Sequence, residues 1–168
     1  MIKAIFSWVS TLWICKVFLQ SLPYKFSKDP DTQHIFGTIG NWISATIADP
    51  LGKLFTNFGP YIIGTAELLT CLTLLAPAVL YLVSKIKNKT PEVSQKPFDR
   101  TRPRWHATGG LMAAILMSGA VFFHLFTPLG IEVLHDGKSD GGSLFYAAVS
   151  ILVLGTIMFI INITSKQR

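Results

Sequence analysis

The amino-acid sequence predicts an all-α membrane protein: an antiparallel four-helix transmembrane bundle with short amphipathic helices in its first extracytoplasmic loop. Three observations predict it. Four apolar stretches, residues 5–22, 61–84, 107–127 and 144–163, fill much of the 168-residue chain. Each is about 18–24 residues long, enough at about 1.5 Å per residue to cross a hydrocarbon core of about 30 Å. Half of the residues are apolar and only 14% are charged, where a soluble domain carries about a quarter. The cations alternate between crowded and sparse connections, as in a chain that crosses a membrane repeatedly.

The cation pattern sets the orientation. The first loop, residues 24–60, carries Lys25, Lys28 and Lys53, whereas residues 85–104 carry seven Lys or Arg against Glu92 and Asp99. Residues 130–143 hold Lys138 against Glu132, Asp136 and Asp140, and the tail holds Lys166 and Arg168. Positive loops stay in the cytoplasm. Both termini and the basic 85–104 loop are therefore expected inside, with the first and third loops outside. The net charge of +6 is spread over these flanks, which excludes nucleic-acid binding as a function class. Residues 1–168 read as a single membrane domain with no room for a separate catalytic one.

Each element has its own signature. The first stretch reads as a retained span: no small-residue A-x-A pattern precedes Pro23, and the apolar run is long for a signal peptide. In the first loop, Asp29-Pro30 and Asp49-Pro50 each set an N-cap before a proline at the first helical position. Ile35, Phe36, Ile39, Trp42, Ile43 and Ile47 then recur at helical spacing, as do Leu51, Leu54, Phe55 and Phe58. The reading is two short amphipathic helices that lie on the outer membrane surface or cap the bundle. Pro77 is expected to kink the second span and Pro128 to end the third. The basic loop, rich in Pro, Lys and Arg, is expected to be extended. Gly109, Gly110, Ala113, Ala114, Ser118, Gly119 and Ala120 line the third span. Small residues let membrane helices approach closely, which predicts a central place for that span.

Lys16, Glu67 and His124 lie inside the first three spans. An ionisable group in hydrocarbon is costly and marks a candidate site. Depth counting puts all three in the outer half, Glu67 roughly 10 Å and His124 roughly 6 Å from their outer ends. Lys16 and Glu67 invite pairing, as a proton or substrate site or as a registry pair that sets helix packing. Lys16 could instead snorkel to the headgroups. His124 could move a proton or bind a metal or haem, or simply bond Glu67 or a backbone carbonyl. Bis-histidine haem fails on depth, since His106 is about 27 Å away along the same helix. His106, beside Trp105 and the arginines, reads as an interface anchor. Lys25, His34, Glu132, His135 and Asp140 lie on the outer side, at the mouth. His34, His124, His135 and Asp136 could together hold a metal, but no metal site is assigned. Cys15 and Cys71 sit in different spans with no C-x-x-C, so dithiol chemistry has no support in the spacing.

Three segments carry a family resemblance. They are Leu22-Pro23-Tyr24-Lys25-Phe26 at the first span's exit, Gly64-Thr65-Ala66-Glu67-Leu68 opening the second, and Ser118-Gly119-Ala120-Val121-Phe122-Phe123-His124-Leu125 ending the third. Together they resemble the DoxX family of four-span membrane proteins. Phe126-Thr127-Pro128-Leu129-Gly130-Ile131-Glu132-Val133 and Asp140-Gly141-Gly142-Ser143-Leu144-Phe145 are similar to its bacterial DoxX-like branch. The resemblance covers nearly the whole chain. It implies an antiparallel four-helix bundle in the bacterial inner membrane. It also implies roles such as subunits of quinol-oxidising systems, maturation factors for periplasmic redox enzymes or, in distant relatives, receptor-assembly chaperones. The positions it carries over are Lys25, Glu67, His124, Glu132 and Asp140, and Lys16 is not among them.

The expected function is that of a non-enzymatic subunit or assembly/maturation factor of a membrane or periplasmic redox system. An alternative is a quinone- or small-molecule-binding subunit that uses Glu67 and His124 for proton transfer. A second alternative is a small oligomeric transporter or channel, against which the lack of an inverted repeat counts. No cofactor is required by the sequence, and quinone is the one it could take. If it belongs to an enzyme, that enzyme is a quinone-linked oxidoreductase. Membrane lipid, a protein partner in the membrane or periplasm and a second copy of the chain are the expected partners.

Overall fold

A computed structural model describes residues 2–87 and 91–164, with side chains described over 2–87 and 101–164. The elements are α1 (Ile2–Phe26), α2 (Pro30–Thr46), α3 (Asp49–Lys87), α4 (Pro91–Phe126), β1 (Leu134–His135), β2 (Lys138–Ser139) and α5 (Ser143–Ile163). The protein is all-α apart from the two-residue strands. Ile2–Phe26, Asp49–Lys87, Thr101–Phe126 and Ser143–Ile163 are long and apolar enough to cross a membrane. The tail cations Lys166 and Arg168 lie outside the described residues.

The four long helices pack in the cyclic order α1, α3, α4, α5, with slight contact between α1 and α4 across the centre. All four contribute to one core. Ile14, Cys15 and Phe18 of α1 meet Cys71 and Leu74 of α3, Ala113 and Met117 of α4, and Ala148, Ile151 and Met158 of α5. The opposite faces remain apolar and uncovered, among them Leu69, Leu72, Val79, Ile115, Val153 and Ile160. In water such a surface would drive association, whereas in lipid it is the ordinary outer face of a span.

Glycines set the closest approaches. A Cβ at Gly110 would stand 2.8 Å from the Gly155 carbonyl oxygen, and one at Gly155 would stand 2.8 Å from that of Gly110. Gly109 receives Leu74 of α3. The small-residue stripe of α4 therefore serves its two neighbours. Among the four long helices, α4 packs most extensively against the others, chiefly α3 and α5, and Gly119 faces open space.

α2 begins where the Asp29-Pro30 signal places it. The Asp29 carboxylate accepts from the Asp31 amide at 3.0 Å, and Pro30 occupies the first turn. The second expected short helix does not stand alone. Asp49–Lys87 is one 39-residue helix, about 58 Å long. Asp49 lies inside it and pairs with Lys53 at 2.6 Å. Pro60 removes one backbone bond but does not end the helix, because packing holds this stretch: Gly59 leaves room for the Phe36 ring of α2, and both Gly59 and Pro60 are buried. α2 packs along this N-terminal part of α3, with Gly40 against Gly52 and Thr56. Ile39 and Ile43 also meet Leu129 and Val133, flanked by Trp42, Phe55 and Phe123. α2 thus closes one end of the bundle over a second, smaller core.

Two connections differ from expectation. The basic segment expected to be extended is helical from Pro91, which enters α4 at its first position, where a proline costs no hydrogen bond. Between α4 and α5, Asp136 and Gly137 both take positive φ, 49° and 73°, and close the hairpin that pairs Leu134 with Ser139. Asp-Gly is the favoured pair for a two-residue hairpin turn.

Gly110→Ala should cost about 1–3 kcal/mol, since its methyl meets backbone and not a movable side chain. Gly119→Ala, in open space within the same helix, should be neutral or stabilising by up to about 1 kcal/mol. Thermal unfolding of the two detergent-solubilised variants compares them, and equal losses would contradict the packing described.

Candidate functional site

Glu67 is the buried acid of the bundle, 3% exposed on the inward face of α3. Its partner is Lys25, in the last turn of α1. The Lys25 ammonium donates to Glu67 Oε2 at 2.8 Å and to Oε1 at 3.1 Å. Ser21, one turn earlier, accepts from Lys25 at 2.8 Å and stands 2.8 Å from Glu67 Oε2. Its single hydroxyl proton is shared between that carboxylate and the Phe18 carbonyl at 2.7 Å. Gly64, one turn before Glu67, leaves space for the Phe26 ring and the Lys25 stem to lie flat on α3. α1 continues past Pro23 to Phe26, and this extra turn brings Lys25 back over the carboxylate.

Lys16 does not take part. It lies on the exposed face of α1, with its ammonium 5.5 Å from the centre of the Trp13 ring. The expected Lys16–Glu67 pair is replaced by Lys25–Glu67 because rotation about the helix axis, and not depth alone, decides which side chain faces α3. Cys15 and Phe18 face inward, and Lys16, about 100° round from Cys15, does not.

Beside the pair, a cleft of about 210 Å³ opens between α1, α2 and α3, lined by Lys25, Lys28, Gln33, Thr56, Asn57 and Tyr61 among others. Thr56 and Asn57 also border a shallower cleft of about 440 Å³ along the α2–α3 seam, with Asn41, Ser44, Asp49 and Lys53.

His124 has a separate environment. Its Nδ1 lies 2.6 Å from the Gly130 carbonyl, and its ring stands edge-on to Phe145. A carbonyl only accepts, so the proton sits on Nδ1. The bond ties the end of α4 to the following turn. Glu67 and His124 have different partners and are not joined to each other.

The mouth residues group around the hairpin. His34 stacks on His135 with ring centres 4.5 Å apart. His135 Nδ1 donates to Asp31 at 2.6 Å, and its Nε2 is 3.8 Å from Asp136. Glu132 accepts from Ser139 at 2.9 Å. Asp140 accepts from the amides of Val133, Gly142 and Leu144 at 2.8–3.0 Å and from the Ser143 hydroxyl at 3.3 Å. It thereby caps α5, whose own N-cap residue, Gly142, has no side chain to do so. Burial pushes the Asp140 carboxyl up, but the bonds from Leu144, Val133, Gly142 and Ser143 outweigh it and hold the group below 3.8. Among the described residues, no three His, Cys, Asp or Glu side chains converge as metal ligands.

Other buried polar groups lie within the bundle itself. His106, expected at an interface, is fully buried, with the Trp8 ring edge-on at 4.8 Å. Neither of its ring nitrogens makes a well-formed hydrogen bond to a described residue. Asn162 is buried in the most apolar helix and donates to Ser7 at 2.9 Å and to the Met158 carbonyl at 2.8 Å, joining α1 to α5. Cys15 and Cys71, far apart in sequence, belong to the same core cluster. Only the packed bundle reveals that last grouping.

Comparison of the chain with known protein families, characterised proteins and solved structures finds no match. The site must be read from its own geometry.

Lys25→Met leaves Glu67 buried without a counter-charge and should cost about 3–5 kcal/mol. Lys25→Met with Glu67→Leu should recover most of that loss. Thermal unfolding of both in detergent decides, and a double variant no better than the single would contradict a mainly electrostatic role. A second expectation concerns Asp140. Its folded pKa lies below the unfolded one, so its stabilisation is full above the unfolded value and disappears as pH falls through the folded value. Carboxyl NMR titration should place the Asp140 midpoint below 3.8, and a midpoint at or above it would contradict the capping role.

Proposed function

We propose that this chain is a DoxX-like integral membrane protein that acts as a non-enzymatic subunit or assembly/maturation factor of a membrane or periplasmic redox system. Its four long helices cross the bacterial inner membrane as an antiparallel bundle with both termini cytoplasmic, and α2 caps the extracytoplasmic end. The cation distribution along the chain supports this orientation.

The observation that carries the functional reading is that the candidate charged groups are already satisfied within the chain. Glu67 is neutralised by Lys25 and bonded by Ser21, and Asp140 is committed to capping α5. A general base must face the proton it removes, and Glu67 faces its own lysine. The N-terminal part of α3 meanwhile presents Leu51, Leu54 and Phe58 to the outside, continuous with Ile47 before it and Ile62 after it. This apolar row at helical spacing suits contact with a membrane partner.

One observation favours a second reading, that of a quinone- or small-molecule-binding subunit. The cleft of about 210 Å³ ends on Lys25 and Tyr61, directly beside the charge pair.

Native mass spectrometry of the protein, gently extracted from its own membrane, tests both readings. A stoichiometric protein partner is expected. A bound small molecule without a protein partner, lost in Asn57→Trp, which fills the cleft, would replace the first reading with the second. A chain that emerges alone and empty would overturn both.

A further inference from the structure

The walls of the cleft beside the charge pair are polar and unevenly charged. It lies between the last turn of α1, the first turn of α2 and the N-terminal part of α3. Every lining residue except Pro60 carries a hydrogen-bonding side chain, and none is an acid. Lys25 is balanced by Glu67 behind it. Lys28 has no anion within ion-pair distance among the described residues, so the cleft keeps one uncompensated positive charge. The nearby acids are committed elsewhere: Asp29 caps α2, and Asp31 meets His135. The Gln33 amide donates to the Lys28 carbonyl at 2.6 Å and fixes the turn that carries Lys28. The side chains of Thr32, Thr56, Asn57 and Tyr61 make no hydrogen bond to a described residue, which leaves their polar groups for a ligand or water.

We infer that this cleft holds the headgroup of an anionic phospholipid, its phosphodiester on Lys28 and its remaining polar groups on Thr56, Asn57 and Tyr61. A phosphodiester carries one negative charge and so matches the one uncompensated lysine, and hydrogen bonds between charged groups are the strong ones. The ammonium of a zwitterionic headgroup finds no carboxylate on the lining. The cleft, at about 210 Å³, is smaller than the about 300–1,000 Å³ of sites that enclose a whole drug-sized ligand. That suits a headgroup whose chains stay outside. The depth also fits. Lys25 follows directly on the apolar stretch of α1, and Tyr24 and Phe26 on either side of it are exposed. The Phe26 ring is 6.1 Å from that of Tyr61 on the cleft wall. Aromatic side chains gather at the boundary between membrane and water, and these give acyl chains an apolar surface next to the headgroup. The inference rests on the membrane placement proposed above and on neither of the two functional readings.

The test uses the full chain in nanodiscs made from equal parts of phosphatidylglycerol and phosphatidylcholine with matched acyl chains. Native mass spectrometry of the released protein counts the lipids that stay bound. A single phosphatidylglycerol should be retained, favoured over phosphatidylcholine by about fivefold. Lys28→Ala, at an exposed position outside the charge pair, should abolish that preference. Lys53→Ala, which removes a cation of α3 that does not line this cleft, should keep it. Equal retention of the two lipids would overturn the anionic site. Equal losses from the two variants would overturn the cleft as its location and leave only diffuse surface attraction. In a parallel arm, glycerol 3-phosphate is added to the detergent-solubilised chain carrying phosphatidylglycerol. The lipid should stay bound, and its displacement by an equal concentration would overturn the lipid in favour of a soluble phosphate. A chain that fails to enter the discs would overturn the membrane placement and this inference with it.

Discussion

A carboxylate buried in an apolar helix must be neutralised or matched by a counter-charge. The arrangement of α1, α2 and α3 depends on how Glu67 meets that requirement. Lys25 reaches it only because α1 runs one turn beyond its apolar stretch, and the chain then turns sharply, with Lys28 in the left-handed region at a φ of 58°. That turn delivers Asp29 and Pro30 to start α2, which falls back over the end of the bundle. Gly64 is the counterpart on α3, since a side chain there would lift Phe26 and Lys25 away from the carboxylate. A buried pair of this kind is weak evidence for net stability but strong evidence for register.

The parts of the fold legible in the sequence are those that depend on one helix at a time. Apolar length located all four long helices, and Asp29-Pro30 located the start of α2. What could not be read depends on facing. Depth along a span can be counted, but the rotation that turns Cys15 inward and Lys16 outward belongs to the packed bundle. The same limit hid the shared core of Cys15 and Cys71 and made His106 look like an anchor when it is fully buried. The loop boundary drawn at residue 60 failed for a related reason. Proline breaks an isolated helix, but here Phe36 packed on Gly59 holds the helix through it. The Asp136-Gly137 hairpin was a different matter: its signal was present in the chain and lay outside the reading of helices.

The buried polar groups divide the bundle into two regimes. At the capped end, side chains are tied into networks: Ser21–Lys25–Glu67, His124–Gly130, and Asp140 with the start of α5. At the end where the chain begins and α5 finishes, Asn162 and Ser7 are bonded, whereas the imidazole of His106 and the hydroxyl of Ser10 are buried without a good partner among the described residues. Unmet polar groups in an apolar setting are costly.

The single-rod character of α3 has a further consequence. Residues that build the cap, such as Gly52, Thr56 and Gly59, and residues that build the main core, such as Cys71 and Leu74, are positions on one uninterrupted helix. There is no linker between them at which the cap could be excised, swapped or appended. A cut before Pro60 would strip the cover from Phe123, Leu129 and Val133 and also remove the first turns that hold α3 in place. Cap and bundle are therefore one indivisible unit of construction, and a change in one has no modular boundary at which to stop.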